Sequence, residues 1–187
     1  GAYSMKTVYN EELNPVLVSG HGESLGWFWE VEYIPGPASR AAGRTYSLET
    51  VHNVLTDEGE RNLLDVYFRN NNAPVNFFVG LHSGDLVDTS TLANITEPTQ
   101  SGYARKQLAR NTTDWGVPAL DAGDYQTTGL TVAFVSAFTS WTPVNRMFLA
   151  SQATGAVGAI LLEAALSITR ILASEDTLNV TPKAKAQ

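Results

Sequence analysis

Apolar residues recur with a period of two along most of the chain. Residues 25–34 are the clearest case. Leu25, Trp27, Trp29, Val31 and Tyr33 fall on one face, and Phe28, Glu30, Glu32 and Ile34 on the other. Residues 130–138 alternate in the same way, with Val132, Phe134 and Ser136 opposite Thr131, Ala133, Val135 and Ala137. Residues 75–82 are apolar on both faces, as in a central strand of a sandwich. Further strands are expected at 16–18, 103–110, 145–150, 157–166, 168–172 and 177–181, with turn signals between them. Residues 159–172 also have helical propensity, but Gly158, the β-branched Ile168 and Thr169 and the hairpin setting favour strands.

One segment breaks the period. Residues 56–70 predict a helix, with Asp57 as cap, Glu60 three residues on, and Leu63, Leu64, Tyr67 and Phe68 on one face. Gly59 weakens its first turn. Such a helix cannot bury its apolar face alone and is expected to cap a sheet or barrel end. Turns are expected at 20–22, 35–37, 141–143 and 154–155. Residues 38–44 and 123–129 read as polar connections, and 83–100 as a long loop.

Together these elements predict a mainly β chain: an antiparallel β-sandwich or small barrel, one short capping helix and an N-terminal arm. The arm spans residues 1–50, which hold too few apolar residues to fold alone, and the sandwich spans 51–187 with its helix at 56–70. Trp27 and Trp29 either pack in the core or form a subunit contact. Trp27, Trp29, Val31, Arg40 and Arg44 are the candidate assembly contacts of the arm.

Composition narrows the function. The 187 residues carry 12 Lys and Arg against 19 Asp and Glu, a net charge of −7. That balance opposes non-specific binding to nucleic acid or anionic membranes. There is no cysteine, so disulfides and thiolate metal sites are excluded. No apolar run approaches the ~20 residues of a membrane helix, and the first residues lack a secretory pattern. Glycosylation triplets at Asn94, Asn111 and Asn179 matter only in a secretory pathway.

Candidate chemistry is sparse. His82-Ser83-Gly84-Asp85 contains the residue types of a Ser-His-Asp site, but neighbours along a strand end point to different sides. Asp85 and Asp88 with Asp57 and Glu58 fit no EF-hand spacing. His21, His52 and His82 are isolated, without the two-histidine helical pattern of a zinc site. Asp114, Asp121 and Asp124 form acidic pairs of a kind common in acidic β-proteins. No catalytic, metal or cofactor residue is therefore assigned, and the chain is expected not to be an enzyme.

From Leu55 onward the chain resembles a group of small structural proteins of tailed bacteriophages. The matching features occur in order. They are Asn62-Leu63-Leu64 on the helix, Phe78-Val79-Gly80-Leu81-His82-Ser83, Glu97-Pro98, and Ser101-Gly102-Tyr103-Ala104-Arg105. Val132-Ala133-Phe134, Trp141-Thr142-Pro143-Val144 and Glu175-Asp176-Thr177-Leu178 follow. The resemblance implies a virion component with a binding role, and carries no catalytic residues. The leading expectation is a capsid decoration or cement protein that binds neighbouring virion subunits. Its alternative is a tail-fibre, baseplate or adhesin component contacting the host, and a virion-associated hydrolase comes third. The implied partners are major capsid or tail proteins and copies of the chain itself, a trimer among the possible homo-oligomers. The implied location is the outer surface of the virion, after synthesis in the host cytoplasm.

Overall fold

In the computed structural model the described residues are 8–9, 15–16, 25–71, 73–85, 87 and 89–186. The expected turn at 20–22, His21, Asp88 and two residues of the expected strand at 16–18 lie outside them. The elements, in order, are β1 (Val8–Tyr9), β2 (Pro15–Val16), β3 (Leu25–Ile34), α1 (Pro37–Ala41), β4 (Ser47–Leu55), α2 (Asp57–Phe68) and β5 (Asn76–His82). They continue with β6 (Lys106–Ala109), β7 (Ala119–Asp121), β8 (Asp124–Thr128), β9 (Val132–Val135), β10 (Val144–Ala150), β11 (Ile160–Arg170) and β12 (Thr177–Ala186). β1 and β2 pair with each other. The rest form one antiparallel sheet in the order β6-β5-β10-β11-β4-β3-β12-β8-β7, with β9 also on β12.

This sheet folds over on itself. One face of each half converges on a single core: Trp29, Val31 and Tyr33 of β3, Val132 and Phe134 of β9, and Leu178 and Val180 of β12 meet Val79 and Leu81 of β5, Met147 and Leu149 of β10, and Leu162 and Ala164 of β11. Aromatic pairs join the halves. The Tyr103 ring stacks on Phe134 at 6.1 Å and meets Trp141 edge-on at 5.4 Å, while Phe77 meets Trp115 edge-on at 6.0 Å. β6 and β7 end the strand path without pairing, so the arrangement is a sandwich and not a closed barrel. Among the described residues no helix is long and apolar enough to cross a membrane.

Period-two burial holds as expected in β3 and β9. Several connections do not match the sequence expectation. Residues 38–44 contain a short helix, α1, and the polar run after Gly123 forms β8. β11 (Ile160–Arg170) is one continuous strand, where two, at 157–166 and 168–172, were expected. The expected division at residue 50 falls inside β4, and β3 pairs with β4 on one side and with all of β12 on the other. β3 and β4 thus lie in the same sheet as the later strands. β8 and β9 line up end to end along β12 and break at Gly129, whose N–H donates to the Pro182 carbonyl at 2.9 Å. In an antiparallel strand the N and O of one residue face the same side, so the missing Pro182 N–H faces that break. This is how a proline is accommodated inside a long paired strand.

The helix departs from expectation in how it packs. Its cap is Thr56 and not Asp57: the Thr56 hydroxyl accepts from the Gly59 N–H at 3.0 Å and donates to the Ile160 carbonyl. Gly59 is the buried residue of α2, lying so close to β11 that a Cβ there would come within 1.9 Å of the Leu161 carbonyl oxygen. The position that weakens the helix locally is the one that lets it dock. Leu64, Tyr67 and Phe68, expected to cover the sheet, are exposed instead.

Candidate functional site

Because α2 docks through its first turn, its later turns form one wall of a groove of about 430 Å³. Asn62, Leu63, Val66 and Tyr67 supply that wall. Ala73, Pro74 and Phe77 come from the approach to β5, Arg110, Asn111, Thr112 and Trp115 from the turn after β6, Trp27 from β3 and Thr127 from β8. Asn70, in a left-handed conformation at φ 54°, ends the helix, and the Asn71 N–H returns to the Asp65 carbonyl at 3.0 Å.

The facing turn is fixed by side chain to backbone bonds. The Asn111 carboxamide oxygen accepts from the N–H groups of Thr113 at 2.9 Å and Asp114 at 2.8 Å. Asp114 in turn accepts from the Ala109 N–H at 2.7 Å. The Arg110 guanidinium lies 5.4 Å above the Phe77 ring and donates to the Pro74 carbonyl at 3.0 Å. It has no carboxylate partner among the described residues, and no Asp or Glu lines the groove. Arg44, Arg69, Arg105 and Arg170 each lie within salt-bridge distance of one.

The residues singled out for chemistry go elsewhere. His82 is buried, its Nε2 2.9 Å from Glu163 Oε1 and its Nδ1 3.1 Å from the Ser83 carbonyl. The second Glu163 oxygen is buried without a partner. Ser83 Oγ faces the Thr96 carbonyl and Asp85 is exposed, so His82, Ser83 and Asp85 do not converge. His52 is exposed beside Phe28. Asp121 and Asp124 flank the β7–β8 turn, and Lys185 lies 3.4 and 3.7 Å from them. Among the described residues no group of three or more His, Asp or Glu side chains is placed to hold a metal.

The segment 101–105 is a structural clasp. β6 begins only at Lys106, so Leu81 of β5 has no strand partner on that side. The Tyr103 hydroxyl takes the place of that strand: it accepts from the Leu81 N–H at 2.9 Å and reaches Glu97 Oε2 at 2.6 Å and the Leu81 carbonyl at 3.0 Å. Burial, then the adjacent Glu97 charge, push the Tyr103 phenol well above its ordinary value. Arg105 pairs with Glu97 and donates to the carbonyls of Gln152 and Gly155, tying the loop before β6 to the β10–β11 connection.

The candidate assembly contacts divide. Trp29 and Val31 are at most 1% exposed and belong to the core. Trp27 is half-buried at the groove, and Arg40 is exposed on α1. Arg44 donates to the Ile171 carbonyl and lies 3.7 Å from the buried Asp176. Asp176 accepts from the Tyr33 hydroxyl, Gly36 N–H, Ser39 hydroxyl and Ala173 N–H. Burial alone would raise its carboxyl, but these hydrogen bonds outweigh it and hold the group below the ordinary value.

The groove itself was not foreseen. Its one sequence signal is an apolar helix stripe running on to Phe68, longer than one docked turn needs.

The model of one protein family, described as Podophage GP4 fiber I protein gp80, matches residues 54–185. That span runs from β4 into β12 and takes in α2, the clasp and every groove residue except Trp27. No curated protein matches the chain.

Proposed function

The chain belongs to the podophage GP4 fiber I protein gp80 family, and on that premise we propose that this bacteriophage virion structural protein is part of a tail fibre and contacts the host surface. The family match supports this reading because it covers α2, the clasp and the strands from β5 into β12. It favours the fibre over capsid decoration, the leading expectation from sequence. The protein acts by binding and is not an enzyme. In support, the histidine nearest to a catalytic pattern is sealed from solvent against Glu163, while the accessible concavity is lined by aromatic and amide side chains. Its partners are other virion proteins and further copies of itself.

Immunogold labelling of intact virions, with copy number from quantitative mass spectrometry, tests the location. A fibre component labels the tail at the low copy number that the tail's cyclic symmetry sets, whereas a shell component recurs over the whole capsid. Label over the capsid at the higher number refutes the fibre. Cleavage of host peptidoglycan, capsular polysaccharide or lipopolysaccharide by the purified protein, lost in His82→Ala, would restore the hydrolase.

A further inference from the structure

We propose that the groove beside α2 binds a carboxylate-bearing saccharide of the host's surface polysaccharide, with Arg110 taking the carboxylate. This rests on the fibre reading. Three features of the groove argue for that ligand. Its volume of about 430 Å³ falls in the ~300–1,000 Å³ range of small-molecule sites, which join apolar walls to a few placed polar groups.

Its charge is one-sided. Arg110 is the charged residue of the lining, in a chain of net charge −7. The Phe77 ring and the Pro74 carbonyl hold the guanidinium in place, and neither neutralises it. A guanidinium already oriented and without an acid partner among the described residues is matched to a planar carboxylate.

The walls fit a ring that is apolar on its faces and polar at its edge. Tyr67 is 77% exposed on the helix wall, and its ring offers a flat apolar face. Asn62 and Thr112 add amide and hydroxyl groups to the same lining. A pyranose presents C–H groups above and below its ring and hydroxyls around its rim. An acidic peptide would satisfy Arg110 but would make less use of an exposed tyrosine face flanked by short polar groups.

The test is titration of the full chain, followed by tryptophan fluorescence, since Trp27 and Trp115 line the groove. The probes are hexagalacturonate, oligoguluronate and trisialic acid, with maltohexaose and hexaglutamate as neutral and peptide controls. At least one acidic saccharide should saturate the signal. Arg110→Gln and the exposed Tyr67→Ala should each weaken it about tenfold or more, as for loss of a contact to a charged or stacked group. Circular dichroism confirms that each variant is folded. The proposal fails if none of the three acidic saccharides saturates, if either variant binds like the native chain, or if maltohexaose or hexaglutamate binds as tightly. Tail labelling without saccharide binding overturns this inference alone, and saccharide binding with capsid labelling overturns the fibre reading alone.

Discussion

Replacing Tyr103 by Phe removes one oxygen from a site where that oxygen stands in for a strand. The ring keeps its stacking on Phe134 and its edge contact with Trp141. What is lost is the acceptor of the Leu81 N–H and a donor to Glu97. Leu81 is fully buried and β6 does not reach it, so water has no route to replace the hydroxyl. An unsatisfied buried donor costs ~1–3 kcal/mol, and a lost bond to a charged group about as much again. Tyr103→Phe should therefore destabilise by about 2–6 kcal/mol, and Tyr103→Ala by more, because ~3–5 kcal/mol of aromatic packing goes as well. Urea unfolding is the assay. With a slope of ~2–3 kcal/mol per molar for a chain of this size, the Phe variant's midpoint should fall by about 1–2 M. The exposed Tyr125→Phe, treated identically, should not move it. An unchanged midpoint and slope in Tyr103→Phe would refute the hydroxyl's role as a strand substitute.

Gly59→Ala, which in an exposed helix stabilises by ~1 kcal/mol, should here destabilise, because its Cβ would meet the Leu161 carbonyl; a raised midpoint would show that α2 does not dock through its first turn. Glu163→Ala leaves the buried His82 Nε2 without its partner and should cost about 1–3 kcal/mol by urea unfolding; an unchanged midpoint would show the pair to be dispensable. The depressed Asp176 carboxyl contributes stability that is present in full above its unfolded value of 3.8 and is lost as the pH falls through its lower folded value. Asp176→Asn should flatten that acid limb of a thermal-stability profile, and an unchanged limb would assign it to other carboxylates.

Where one face of a strand is buried, the sequence reports it directly. Trp29, Val31 and Tyr33 alternate with Phe28, Glu30 and Glu32, and Val132 and Phe134 with Ala133 and Val135, because core and surface impose opposite preferences. β4 was not legible. Its Glu49 and His52 look like loop residues until Arg170 and Phe28 are placed beside them. β8 was hidden because Gln126, Thr127 and Thr128 sit near the sheet's margin, where burial demands little of side chains. The groove was least legible of all. It depends on Gly59 fixing where α2 touches β11, and nothing in Tyr67 or Arg110 foretells that they will face each other across a gap.

The pairing of β3 with β12 has a mechanical consequence. Leu25 lies opposite Ala186 and Ile34 opposite Thr177, so the start of one strand and the finish of the other leave the sheet side by side. Tension applied through those two ends pulls across the ladder and not along it. The rungs then open one after another, each bearing the load alone, where shear would have set all of them against it together. The β3–β12 pair is thus weak to tension entering at Leu25 and Ala186 and stronger to shear along the two strands. Any load it carries in an appendage is best borne sideways, through its faces and its neighbours.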